Sequence, residues 1–235
     1  MSERRSSSPS VPAAASSSGG GCLSGFLLPP LAVVGMGAIL MFFVLGTVNP
    51  ASSTEISAQT GEAHTRNPLL PVSPIFTPEV QYWSARIQVW AAAAGLDPNL
   101  VATVMQIESC GDPSAQSRAG AMGLFQVMPY HFAAGEDPYE PETNALRGLD
   151  YLRRSLEAAN GDPRLALAGY NGGIGMIGQS ESRWSAETQR YAARGSGIYQ
   201  DAASEKTESP YLQEWLTASG VYLCRQAHER LGISP

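Results

Sequence analysis

The chain of 235 residues has little charge, and less of it is basic than acidic: 15 Lys and Arg face 21 Asp and Glu, a net charge of −6. No basic stripe is present, which excludes nucleic acid as an expected partner. The same balance gives no long-range attraction to an anionic polymer, so recognition of one has to be local. Cysteine is scarce, with Cys22, Cys110 and Cys224 only. No internal repeat is visible, strand signals are sparse, and no metal site or cofactor is expected. A long hydrophobic run occurs once, from Phe26 to Val48.

Those features divide the chain. Residues 1–25 are rich in Ser, Gly, Ala and Pro and cannot build a core, so they read as a flexible cytoplasmic tail. Residues 26–48 are uncharged and long enough to span a bilayer as a helix. A cleaved signal peptide is the other reading, but the run is long for one and no clean small-x-small site follows it. Arg4 and Arg5 favour a cytoplasmic N-terminus. Cys22 precedes the run, which does not fit a lipoprotein attachment site. Residues 49–78, with Pro50, Pro68, Pro71, Pro74 and Pro78 among Ser, Thr and Ala, read as an extended tether. Residues 79–235 are long enough for one well-buried core.

In that last segment the helix signals are plain. Thr77-Pro78-Glu79 is a helix start, and Trp83, Ile87, Trp90 and Ala94 follow at helical spacing up to Gly95. The two tryptophans could stack on sugars, but a stripe at this spacing is more often core. Asp97-Pro98 starts a second helix that ends near Glu108. At about 100° per residue, Glu108 falls between Val101 and Val104 in the apolar sector, opposite Asn99, Thr103 and Gln106. A core-facing carboxyl is either paired with an Arg or keeps its proton as its pKa rises. The negative end of the helix dipole pushes the same way. A carboxyl protonated near neutral pH is a general acid in waiting. Further helices are expected over Pro141 to Ala159, from Asp162-Pro163, from about Ala186 and from Ser209-Pro210.

Glu108-Ser109, then Gly120-Ala121-x-Gly123-Leu124-Phe125-Gln126-x-Met128-Pro129, then Ala168-Gly169-Tyr170-Asn171-Gly172-Gly173 resemble the soluble lytic transglycosylase type of bacterial lytic transglycosylase. These are lysozyme-like enzymes that cut peptidoglycan. Weaker matches are Asp137-Pro138-x-x-Pro141-Glu142-x-Asn144, Gly148-x-x-Tyr151-Leu152 and Glu187-Thr188-Gln189-Arg190-Tyr191. The order is the family's, and the resemblance covers about residues 79 to 200. Gly169 stands where Ala is usual, Ala192 follows Tyr191 where Val is usual, and Gly195-Ser196-Gly197 is expected to loosen the end of that helix. The fold class implied is a mainly α, lysozyme-like catalytic domain behind a single N-terminal transmembrane helix.

The resemblance implies that Glu108 acts twice. It protonates the glycosidic oxygen between N-acetylmuramic acid and N-acetylglucosamine. It then takes the proton of the muramic acid C6 hydroxyl, which closes on C1 to leave a 1,6-anhydro end. Ser117, Gln126, Met128, Tyr170 and Asn171 are carried over as substrate contacts. Glu187 either orients groups of the site or is an ordinary exposed helical Glu. A hydrolytic muramidase on the same fold would need water and usually a second acid, for which Asp112, Glu136, Asp137 or Glu140 could serve. A non-catalytic peptidoglycan-binding domain is the third reading. Peptidoglycan glycan strands are the expected partner, with the membrane held through residues 26–48. A partner in cell-wall or secretion machinery is compatible with this and is not identified by it. If the domain lies outside the cytoplasm, its two cysteines, Cys110 and Cys224, are expected to form a disulfide, the alternative being two buried thiols.

Overall fold

The computed structural model describes residues 71–204 and 206–233. Cys22, the 26–48 run and most of the tether lie outside them. Among the described residues no helix is long and apolar enough to cross a membrane.

Eight α-helices carry the fold there: α1 (Pro78–Gln81), α2 (Ser84–Ala94), α3 (Pro98–Glu108), α4 (Pro141–Ala158), α5 (Pro163–Gly172), α6 (Ala186–Ala203), α7 (Pro210–Trp215) and α8 (Val221–Leu231). The starts are set locally by proline in the first turn and by capping acceptors. Asp97 accepts from the Asn99 N–H, and Asp162 from Arg164 and Leu165. Ser185 and Ser209 cap α6 and α7 in the same way. Strands are absent among the described residues. The loop after α3 has only isolated bridges that pair Met122 with Gln116 and Val127.

Helix α3 is central, with every residue from Pro98 to Gln106 buried except Asn99. It packs against α2 on one side and α6 on another, while α5 lies between α4 and α6. Leu100, Val101, Val104 and Met105 meet Ile87, Leu124, Phe125, Leu152, Leu167 and Ile198 in one core. The side of α3 read from sequence as polar is also buried: Thr103 and Gln106 have no exposed surface. Residues 71–77, in the stretch read as tether, lie over it and satisfy it. Ser73 N–H donates to Asn99 Oδ1 at 2.8 Å, and Thr77 N–H to Gln106 Oε1 at 3.1 Å. Phe76 of the same stretch is buried.

Three local readings are corrected. The helix expected to run from Pro78 to Ala94 is broken after Gln81, and Tyr82 and Trp83 make the turn into α2. The break sends the buried Trp83 indole N–H to Gly111 O at 2.9 Å, so Trp83 is core, as the spacing suggested. Helix α6 is not loosened at Gly195-Ser196-Gly197; it continues to Ala203. These glycines permit close packing. A Cβ on Gly197 would stand 2.4 Å from the Tyr211 ring, and one on Gly195 would stand 3.0 Å from Leu167. The last helix runs on from α7 through one wide turn, Leu216–Gly220, into α8, with Trp215 packed against Gly220.

Helix α8 is tied to the end of α3. Cys110 and Cys224 form a disulfide with Cα atoms 5.0 Å apart, closing 114 residues. Glu79 accepts from His228 Nδ1 at 2.9 Å, and Asp112 pairs with Arg230 at 3.4 Å. Gln106 Nε2 donates to Cys110 Sγ at 3.1 Å. Glu79 and the two sulfurs lie close together, but bonded sulfurs are poor metal ligands, so the cluster reads as a brace.

Candidate active site

Glu108 is the last residue of α3 and is half-buried. Its Oε1 accepts a hydrogen bond from the Tyr191 hydroxyl of α6 at 2.7 Å. No cation pairs with it among the described residues. Burial raises its pKa from 4.5 to about 7; the Tyr191 bond pulls the other way, and the charge of Glu187 adds to the rise. Of the two outcomes open to a core-facing carboxyl, this one is a raised pKa, not an Arg partner. Tyr191 and Tyr170 are both held well above the usual phenol range by burial and by the Glu108 charge, so both stay neutral donors.

Beside this carboxyl the loop after α3 is folded tightly. Met122 and Val127 exchange backbone hydrogen bonds at 3.0 and 2.9 Å around Gly123-Leu124-Phe125-Gln126. Gln126 closes the turn at φ 46°, a left-handed conformation uncommon for a residue with a Cβ. Its amide nitrogen donates to Ala115 O and Gly123 O. The buried Asn144 of α4 pins the same loop: it accepts from Phe125 N–H and donates to Met122 O and Pro138 O. Gly123 is required there, because a Cβ would stand 2.3 Å from Asn144 Nδ2. Tyr170 of α5 donates to Phe125 O at 2.7 Å.

These elements border a recess of about 230 Å³ lined by Gln126, Met128, Tyr130, His131, Tyr151, Tyr170 and Asn171, among others. Tyr130, His131, Tyr151 and Tyr170 form a chain of rings with successive centroids 4.6, 4.7 and 5.7 Å apart. Burial, then the nearby Arg154, lowers the His131 pKa, so the ring is neutral at pH 7. The recess is thus walled by rings and neutral polar groups, which suits a sugar's faces and hydroxyls.

Of the residues carried over from the resemblance, Gln126, Met128, Tyr170 and Asn171 come together in this recess. Glu108 is not part of its lining; it lies near enough for its charge to act on Tyr170 there. Asn171 Oδ1 accepts from the Thr188 hydroxyl at 2.9 Å. Ser117 is turned into its own loop, where its Oγ accepts from Ala121 N–H at 3.0 Å. Glu187 is exposed in the first turn of α6. Tyr191, Tyr151, His131, Thr188 and Asn144 were not singled out as site residues. Four of them stand in the weaker sequence matches: Asn144 after Pro141-Glu142, Tyr151 after Gly148, and Thr188 and Tyr191 in Glu187-Thr188-Gln189-Arg190-Tyr191. His131 and Tyr130 carried no such signal.

With this geometry in place, the chain's relatives can be compared. Residues 85–193 match the family model described as Transglycosylase SLT domain. The chain is 37% identical over 117 residues to a transglycosylase of Enterobacteria phage PRD1, covering 49% of this chain and 42% of that one. It is 32% identical over 100 residues to an endo-type membrane-bound lytic murein transglycosylase A of Klebsiella pneumoniae, covering 34% and 48%. It is 31% identical over 105 residues to a membrane-bound lytic murein transglycosylase C of Photorhabdus laumondii, covering 35% and 29%. The chain thus spans less than half the length of these relatives. An inactive mutant of lytic transglycosylase Slt from Pseudomonas aeruginosa overlaps 52% of this chain and 24% of its own, at 23% identity and a TM-score of 0.43, a likeness too slight to add to the assignment. The segment that matches the Transglycosylase SLT domain, residues 85–193, contains Glu108, the Gln126 turn, Tyr170-Asn171 and Tyr191.

Proposed function

We propose that the chain is a peptidoglycan lytic transglycosylase that cleaves the β-1,4 bond between N-acetylmuramic acid and N-acetylglucosamine. The observation that carries this is the Glu108 carboxyl, raised to about 7 by burial and bonded only to a neutral phenol. Near neutral pH such a group is divided between its two forms, which is what acid and then base action by one residue needs. With its proton it protonates the leaving glycosidic oxygen. Without it, it accepts the C6 hydroxyl proton as that oxygen closes on C1. The bond to the leaving sugar breaks, the bond from O6 to C1 forms, and the proton balance of Glu108 is restored with no water consumed. Tyr191 holds the carboxylate oxygen through both halves. Gln126, Met128, Tyr170 and Asn171 line the sugar-binding recess beside it, Ser117 shapes the loop, and Glu187 tunes the carboxyl by its charge.

The hydrolytic alternative usually uses a second acid, and each of the four candidates has a partner of its own. Asp112 is buried against Arg230, and Glu136 is paired with Arg147 at 2.9 Å. Glu140 caps α4, and Asp137 accepts from Tyr139 N–H at 2.9 Å. Their engagement supports the intramolecular reaction over attack by water. Mass spectrometry of digested peptidoglycan tests it. Anhydro ends support the proposal, reducing ends favour the muramidase, and no product favours a binding domain.

We further propose that the domain works outside the cytoplasm, anchored through residues 26–48, since its substrate lies there. Relatives with membrane-bound in their names support membrane association. Protease added to intact spheroplasts should remove the domain; protection until lysis would reverse the topology.

A further inference from the structure

The chain leaves the end of α3 through two successive left-handed residues, Cys110 at φ 53° and Gly111 at φ 83°. Glycine adopts that region freely, whereas a residue with a Cβ does so at a cost. Position 110 is not a glycine, so its conformation has to be held from outside. The Cys110 sulfur is bonded to Cys224 of α8 and receives the Gln106 Nε2–H at 3.1 Å, while the Cys110 N–H donates to Gln106 O at 3.2 Å. Helix α8 is itself fixed by the contacts of His228 with Glu79 and of Arg230 with Asp112. The disulfide therefore ties a costly turn to a braced helix.

This turn is joined to the candidate active site on two sides. Glu108 stands two residues before Cys110, with the buried Ser109 between them. Ser109 Oγ donates to Leu124 O at 2.7 Å and accepts from the Gly111 N–H at 3.1 Å. The second bond needs the Cys110-Gly111 turn, which brings the Gly111 N–H back onto Ser109. The Trp83 indole N–H fixes the far end of the turn at Gly111 O. Leu124 belongs to the Gly123–Gln126 turn, where Phe125 O takes the Tyr170 hydroxyl and Gln126 lines the sugar recess. A displacement of Cys110 is thus passed through Ser109 to Glu108 on one side and to the recess loop on the other.

We propose that the Cys110–Cys224 bond is a positioning element for Glu108, so that the site is set only after the two thiols have been oxidised. Forming the bond takes a proton from each thiol and a pair of electrons from the two sulfurs, accepted by a disulfide oxidant that leaves as two thiols. The chain then gains activity on reaching an oxidising compartment. Once made, the bond is sheltered from reversal. Cys110 is fully buried, Cys224 is 7% exposed, and Glu79 Oε2, 4.0 Å from Cys110 Sγ, opposes an attacking thiolate.

The proposal rests on the glycan-cleaving reading above, and its tests separate the two. The full chain is folded and kept under a phosphine reductant, and its kcat on peptidoglycan is compared with that of the oxidised chain, per folded molecule by circular dichroism. The reduced chain should stay folded and lose kcat by roughly tenfold or more, the scale on which a small misplacement of a reacting group acts. Equal kcat overturns the proposal. So does a loss that only follows unfolding, which would make the bond a clamp on the fold alone. Two double variants ask the same without reductant. Cys110→Ser with Cys224→Ser should show the same loss of kcat. Cys110→Gly with Cys224→Ser should recover most of it, because glycine keeps the left-handed turn without the bond. Equal kcat in the two double variants overturns the proposal.

A further readout needs no turnover: the midpoint of the Glu108 carboxyl in carbon-13 NMR, about 7 in the oxidised chain. It should fall in the reduced chain, as water reaches a displaced carboxyl, and return in Cys110→Gly with Cys224→Ser. A midpoint that ignores the state of the bond overturns the proposal. If neither form cleaves glycan but the midpoint moves in this way, the glycan-cleaving reading fails and the positioning role stands.

Discussion

Two glutamates mark the two ends of this molecule's chemistry, and they are handled in opposite ways. Glu79 in α1 is almost fully buried and has His228, a side chain able to carry positive charge, 2.9 Å away. It sits in a brace with the Cys110–Cys224 disulfide and the Asp112–Arg230 pair. Glu108, two residues from Cys110, has a neutral phenol as its hydrogen-bond partner and a second negative charge nearby in Glu187. The brace satisfies its charges, and the site leaves one charge unfavourable. What distinguishes the braced carboxyl from the candidate catalytic one is above all the partner.

The comparison is broken most severely on the brace side. Cys224→Ser should cost about 4–5 kcal/mol of stability in the chain-entropy account of so long a loop, read by denaturant titration. Thiol titration of the unfolded, unreduced chain should find only Cys22 reactive. A free Cys110 or Cys224 in protein from an oxidising compartment would contradict the brace.

Next comes the site itself. Glu108→Gln should reduce muropeptide release about a thousandfold, as expected for loss of general acid and base action. Activity within a few-fold of the unaltered protein would remove Glu108 from the proposed mechanism.

The same substitution should affect stability in the opposite direction to Cys224→Ser. The folded pKa of Glu108, about 7, lies above its ordinary 4.5, so folding favours the protonated form. Its contribution is complete below the ordinary value and is lost as pH rises through about 7. Glu108→Gln should therefore match the unaltered protein near pH 4 and be more stable at pH 8, on the order of 1–3 kcal/mol. Equal stability at both values would mean that the carboxyl ionises freely in the folded state.

The finest test moves the carboxyl without removing it. Tyr191→Phe deletes the bond that lowers the Glu108 pKa, and Glu187→Gln deletes the charge that raises it. The alkaline limb of the kcat profile should shift up in the first and down in the second, each by roughly a unit or less. Shifts of the same sign would refute the account of the site's electrostatics.

Much of this was legible in the sequence for identifiable reasons. The α3 start at Asp97-Pro98 and the core-facing place of Glu108 follow from capping chemistry and helical period, both local properties. Gln126, Tyr170 and Asn171 were visible through the family's motifs. What sequence could not supply was long-range. The polar side of α3 is covered by residues 71–77, which donate to Asn99 and Gln106, and nothing local reveals it. Gly195 and Gly197 read as helix weakeners because their value lies in the Leu167 and Tyr211 side chains that fill the space a Cβ would take. Tyr191 lies 83 residues from Glu108, and only the packing of α6 on α3 makes them partners. His131 joins the recess through its ring contact with Tyr151, and Tyr130 through His131, which no local pattern announces.

The central claim is that Glu108 holds its proton to near neutrality because it is buried without a cation. Carbon-13 NMR of the side-chain carboxyl, assigned by its loss in Glu108→Gln, measures that directly across pH 3 to 10. The account predicts a midpoint of about 7 for Glu108 in the folded chain. A midpoint near the ordinary 4.5 would contradict it.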